Sequence, residues 1–185
     1  MQKIYLDMTE QTDCIGIYKK DTKVIPAGTT IYSMPSKDKN AEYQKFADEY
    51  DIHFIFEDNL PNIDFYTIPR IDIMAADSHG GYIGTIGETC DLESDAPICY
   101  IDKNKTCHLI AENGKTFLKT VHSWKTQLKP CEGIEFFPSK EEAKKRHEFL
   151  DIDIEAAIKD DIEIAIKDDI VKSIKDDIES PIEAE

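Results

Sequence analysis

The chain has 185 residues, of which 32% are charged, with 22 basic against 38 acidic side chains and a formal net charge of −16. This length suits one domain of ordinary size plus an appendage. The apolar runs are only a few residues long, and mean hydropathy is −0.46, so no segment is expected to span a bilayer. A surface this acidic repels phosphate backbones, which excludes direct nucleic-acid binding from the expected functions and favours a basic protein partner.

The first residues, Met1 to Glu10, hold neither a long apolar core nor a small-residue cleavage pattern, so no secretory signal is expected. Five cysteines (Cys14, Cys90, Cys99, Cys107 and Cys131) are an odd count, which fits reduced thiols in a cytoplasm better than a disulfide framework.

Residues 1–35 read as short strands, because Ile4-Tyr5-Leu6, Cys14 to Tyr18 and Thr30-Ile31-Tyr32 are rich in β-branched and aromatic side chains. Pro26-Ala27-Gly28 reads as a turn between them. From Ser36 to Tyr50 the pattern is helical, with Tyr43, Phe46, Ala47 and Tyr50 on one face. His53 to Phe56 reads as a strand, and Asn59 to Asn62 as a loop.

Three or four strands are expected between Phe65 and Leu109, a short helix over Thr116 to Leu128, and a last strand at Ile134 to Phe137. Ser139 followed by Glu142 is a capping-box pattern, so a helix should begin near Lys140. It is expected to run on into the tail.

From Asp151 to Glu185 there are 13 acidic and 4 basic residues, so the tail carries −9 of the charge and residues 1–150 carry −7. Isoleucine recurs every fourth position from Ile154 to Ile182, and Ile-Lys-Asp-Asp-Ile repeats at 158, 166 and 174. On an α-helix that stripe drifts by about 40° per isoleucine, so it winds around the axis instead of forming a coiled-coil seam. Favourably ordered pairs such as Glu155/Lys159 add only about 0.2–0.5 kcal/mol each. A partly exposed helix without function and a docking or self-association element both fit.

Candidate chemistry is sparse. Gly80-Gly81-Tyr82-Ile83-Gly84 lacks the Lys-Ser/Thr ending of a phosphate loop and leads into a strand, so a hairpin turn opened by Asp77 and Ser78 is the better reading. Cys99, Cys107, His108, His79 and His122 show no metal-ligand spacing, so no metal and no cofactor is expected. Cys99 and Cys107 sit in apolar strand patterns, where buried structural thiols are the default over a Cys/His nucleophile, and no catalytic residue is assigned. Trp124 reads as a core residue. Glu88, Asp91, Glu93 and Asp95 crowd one loop without calcium-loop spacing. They form either a solvated acidic loop or a contact surface for a basic partner.

The middle of the chain resembles the SMI1/KNR4-like, or SUKH, superfamily. The resemblance rests on Ala76-Asp77-Ser78-His79-Gly80-Gly81-Tyr82, on Ala96-Pro97-Ile98-Cys99-Tyr100-Ile101-Asp102, and on Ile110-Ala111 with Phe117-Leu118. It covers residues 62–121. The first 35 residues depart from the family's helical opening, and Leu60-Pro61 comes late.

The resemblance implies a non-catalytic α+β protein, and many bacterial members are cytoplasmic immunity proteins that neutralise a toxin, often a nuclease. The expected fold is therefore α+β: a mostly antiparallel sheet with flanking helices and a long C-terminal helix. The body is expected over residues 1–138, with 1–35 as a small β extension, followed by a helix and acidic repeat tail over 139–185. The expected partner is a basic toxin met by Glu88, Asp91, Glu93 and Asp95, with Asp77 and His79 at the turn. A scaffold that self-associates through residues 151–185 is the alternative.

Overall fold

The computed structural model describes residues 2–9, 21–87 and 95–150. Residues 1–150 form one compact unit and 151–185 a second. The isoleucine-repeat tail, the strand expected at Cys14 to Tyr18, and Glu88, Asp91 and Glu93 all lie outside the described residues.

The chain enters through β1 (Gln2–Asp7), where Ile4, Tyr5 and Leu6 are all buried, and β2 (Thr22–Ala27) runs parallel to it. Pro26 therefore sits inside a strand and only Gly28, at φ +119°, makes the turn; Pro26 still contributes its carbonyl, which accepts from the Arg70 amide. β3 (Thr29–Ile31) follows directly. A single 3₁₀ turn at Ser36–Asp38 precedes α1 (Ala41–Tyr50), so the helix expected from Ser36 starts at Ala41. Asn40 sets that start, because its side-chain oxygen accepts from the amides of Glu42 and Tyr43.

β4 (His53–Phe54), β5 (Tyr66–Ile68), β6 (Ile71–Ala76), β7 (Tyr82–Ile86), β8 (Ile98–Ile101) and β9 (Cys107–Ala111) come next. α2 (Gly114–Thr120) leads into a 3₁₀ segment, Val121–Thr126, and then β10 (Lys129–Pro130), β11 (Glu135–Phe137) and α3 (Lys140–Lys144). The largest sheet has the order β10-β9-β8-β7-β6-β3, with β4 sharing the outer edge of β6 with β3.

The expectation of a mostly antiparallel sheet with a long C-terminal helix is corrected in two respects. The sheets are mixed, because β1 pairs with β2 and β3 with β6 in parallel. The helix does begin at Lys140, with Ser139 capping the Glu142 amide, but it ends at Lys144. Beyond it the chain runs extended beside β1: the Tyr5 amide donates to the Glu148 carbonyl at 2.9 Å, and the Leu150 amide to the Tyr5 carbonyl at 2.7 Å. Phe149 packs on Tyr5 and Tyr66 there, with ring centroids 6.0 and 6.2 Å away. Burying that ring and filling the open edge of β1 outweigh the few local bonds a longer helix would add.

The large sheet is covered on both faces. Ile83, Ile98 and Ile110 meet Phe117, Val121 and Trp124 on one side; Ile71, Ile73, Cys99, Ile101 and Cys107 meet Ile55 and Phe65 on the other. A bulge in β6 between Ile73 and Ala75 passes Ala75 to the first face. A third core joins Tyr5 and Ala27 to Tyr66, Ile68, Phe137 and Ala143, so β1, β2 and α3 pack on the same body. Among the described residues no helix is long and apolar enough to cross a membrane.

Candidate functional site

The hairpin between β6 and β7 forms the corner on which the polar side chains converge. The Asp77 amide donates to the Gly81 carbonyl at 3.0 Å, closing the turn. The Asp77 carboxylate then faces back into it, with Oδ1 accepting from the His79 amide at 3.0 Å and the Gly81 amide at 2.7 Å. Its Oδ2 accepts from the Tyr100 hydroxyl at 2.9 Å. Burial, reinforced by this bond to a carboxylate, pushes the Tyr100 hydroxyl well above its ordinary range.

Two glycines are needed for different reasons. Gly80 has φ +83°, in the left-handed region, while a Cβ at Gly81 would lie 2.4 Å from the Tyr100 ring.

A second carboxylate arrives from the end of α1. Asp51 ends that helix in the left-handed conformation, φ 56°. Its Oδ1 accepts from the Ser78 amide at 3.0 Å, and its Oδ2 from the Ser78 hydroxyl at 3.0 Å and the Lys125 ammonium at 2.5 Å. His53 Nε2 and His79 Nδ1 lie 3.2 and 3.3 Å away. Burial opposes ionisation of Asp51, but the Lys125 ammonium, the amide and hydroxyl of Ser78 and the His53 ring outweigh it and hold the carboxyl well below its usual range. Lys125 is steered there by Trp124, whose ring lies 5.3 Å beneath the ammonium and whose Nε1 donates to the Tyr50 carbonyl at 2.8 Å.

Ser78, His79 and Asp51 have the composition of a nucleophile relay but not its geometry. A relay needs the hydroxyl on one imidazole nitrogen and the carboxylate on the other. Here Ser78 Oγ lies 3.1 Å from His79 Nδ1, the same nitrogen that faces Asp51, and Ser78 donates its proton to Asp51.

Asp51, Asp77 and His79 also bring ligand atoms within 4.8 Å of one another, a set sequence spacing did not reveal. The donor chemistry weighs against a cation: Lys125 already places a positive charge on Asp51, and both Asp77 oxygens hold the turn.

The expected contact residues fare unequally. The Asp77 side chain is 2% exposed and fully engaged, so it positions the turn and is not available to a partner. His79 is 72% exposed and Asp95 is on the surface. The turn at 77–81 precedes β7, whereas Gly87 and Asp95, which bracket the acidic loop, lie beyond its other end. Five extended residues place Gly87 about 15 Å from the turn, and Glu88, Asp91 and Glu93 lie outside the described residues.

Asp51, His53, Tyr100 and Lys125 were missed as corner residues. Only Asp51 carries a local signal, as a residue tolerant of the left-handed region after a helix; Lys125 meets it across 74 positions.

The thiols lie elsewhere. Cys99 and Cys107 are buried in the second face of the sheet, as expected, and Cys131 is half-buried beside them. Hydrogen bonding with Cys99, then burial, pushes the Cys107 thiol far up, and burial pushes Cys131 up to about 12. An activated nucleophile shows the opposite shift. Comparison of the chain with family models, with curated proteins and with solved structures returns no match.

Proposed function

We propose that this chain is a non-catalytic binding protein, a cytoplasmic immunity protein of the kind its SUKH resemblance implies, which meets a basic toxin through an acidic surface. The observation that carries this reading is that the polar groups of the corner are consumed in holding it. Asp77 is spent on two amides and a phenol, and Ser78 is committed to Asp51. Such a corner is a mount that presents His79, and its Ser78 hydroxyl donates to a carboxylate and not to an imidazole. The net charge supplies the rest, because an acidic surface accelerates encounter with a basic partner and disfavours nucleic acid.

The test is a protection assay against any toxin-like product found encoded beside this chain. The parent chain is compared with the triple variant Glu88→Lys, Asp91→Lys, Glu93→Lys. Protection is expected to fall with folding unchanged, and association to slow by about tenfold or more at low salt while dissociation changes less. Full protection by the variant removes the loop from the contact. Failure to bind any basic toxin overturns the reading.

A further inference from the structure

The binding role proposed above relies on acidic residues and leaves one basic stretch of the body unused. From Asn113 to Cys131 there are four lysines, one histidine and no carboxylate, so this stretch carries +4 within a body of −7. It forms α2 and the 3₁₀ segment after it, the one helical stretch among the described residues that has no acidic side chain. Phe117, Val121 and Trp124 bury its inner side in the core on the first face of the large sheet. Lys115, Leu118, Lys119 and His122 recur at helical spacing on the other side, and all four are exposed. Leu118 is 49% exposed, among the largest apolar exposures of the body. Lys125 is engaged by Asp51, whereas Lys115 and Lys119 meet no carboxylate among the described residues.

An exposed leucine flanked by two lysines complements a segment that carries aliphatic side chains beside carboxylates. A basic toxin has the wrong sign for this face. The chain holds a segment of the right chemistry in its own sequence: in residues 151–185 the unit Ile-Lys-Asp-Asp-Ile recurs at 158, 166 and 174, and the whole stretch carries −9. An exposed lysine–carboxylate pair contributes little by itself, so a single unit holds weakly. Units joined in one chain reinforce one another, because after the first contact the next is intramolecular. Among the described residues the face occurs once, while the sequence supplies the unit three times, so units remain for the faces of other copies.

We propose that the exposed face of α2, centred on Leu118 and flanked by Lys115 and Lys119, is a docking surface for residues 151–185 of a second copy of this chain. Isoleucines of a repeat unit cover Leu118, and its aspartates meet the two ammonium groups. Self-association by this route is sensitive to salt, because the charged contacts lie at an exposed surface. It does not rest on the toxin reading, since it needs no toxin and uses none of the residues assigned to that contact.

Sedimentation velocity of the full chain, over a concentration series at low and at high salt, tests this. Concentration-dependent self-association is expected at low salt and its loss at high salt. Two full-length variants then separate the partners. The face variant carries Lys115→Glu and Lys119→Glu; the tail variant carries Asp160→Lys, Asp161→Lys, Asp168→Lys and Asp169→Lys. Circular dichroism and thermal melting are expected to show both bodies folded, because the face positions are exposed and touch no core. Each variant alone is expected to associate about tenfold more weakly than the parent. Mixing the two places the acidic face of one opposite the basic tail of the other, and association is expected to return. A parent that stays monomeric at low salt, whether its tail binds its own body or nothing, would overturn the proposal. So would a face variant that associates as the parent does, or a mixture in which association does not return.

Discussion

At the residue scale, the side chains that organise the corner are chosen by unmet hydrogen bonds. Asp77 answers two turn amides and one phenol, and Asp51 answers an amide, a hydroxyl and an ammonium. Asp51 makes stability pH-dependent with a definite sign. Its carboxyl is held below the unfolded range, so its contribution is complete above about pH 5, where even the unfolded chain has lost the proton. The contribution declines as pH falls through that range toward the depressed folded value. Asp51→Asn is expected to cost about 1–2 kcal/mol at pH 7, since it weakens charge-assisted bonds at a partly exposed site. Urea denaturation from pH 7 to pH 3 checks this: the parent and variant curves should converge in acid, and parallel curves would refute the assignment. The Asp77 turn was legible in the sequence because Asp-Ser-His-Gly-Gly is turn chemistry in five consecutive residues. The Lys125 contact was not, because no local pattern says which distant lysine will meet a helix end.

At the element scale, the outcome depended on how far each signal reaches. Caps act within one turn: Ser139 opens α3 where expected, while Asn113, by accepting from the Thr116 amide at 2.9 Å, opens α2 at Gly114, two residues before the expected start. Helix ends and strand partners are settled by competition with the rest of the fold. α3 stops because Phe149 and Leu150 gain more beside β1 than in another helical turn. Phe149→Ala is expected to lower stability by about 2 kcal/mol, less than a fully buried ring would, because Phe149 is only partly buried. It should also raise hydrogen exchange at the Tyr5 and Leu150 amides, whose bonds hold the two segments together. Unchanged protection at those amides would show that the ring does not anchor the segment. β10 escaped notice because two residues, one of them proline, carry no strand pattern.

At the scale of the whole molecule, charge is divided between a body with −7 and a tail with −9. Deleting residues 151–185 is expected to leave a body that still unfolds cooperatively, because its three cores are built from residues between Tyr5 and Phe149. Calorimetry and sedimentation of the truncated chain check this together. Retained protection with an unchanged association state places function in the body. Joint loss of self-association and protection favours the scaffold reading.

The sequence by itself determined the composition classes, the turn at 77–81, the Ser139 cap and the buried character of Cys99 and Cys107. Each of these depends on residues within a few positions or on totals over the chain. Tertiary structure alone decided the parallel pairings of β1 with β2 and β3 with β6, the early end of α3, and the meeting of Asp51 with Lys125. Those features link positions far apart in the chain, and which distant groups meet is settled by burial and hydrogen-bond satisfaction over the whole fold.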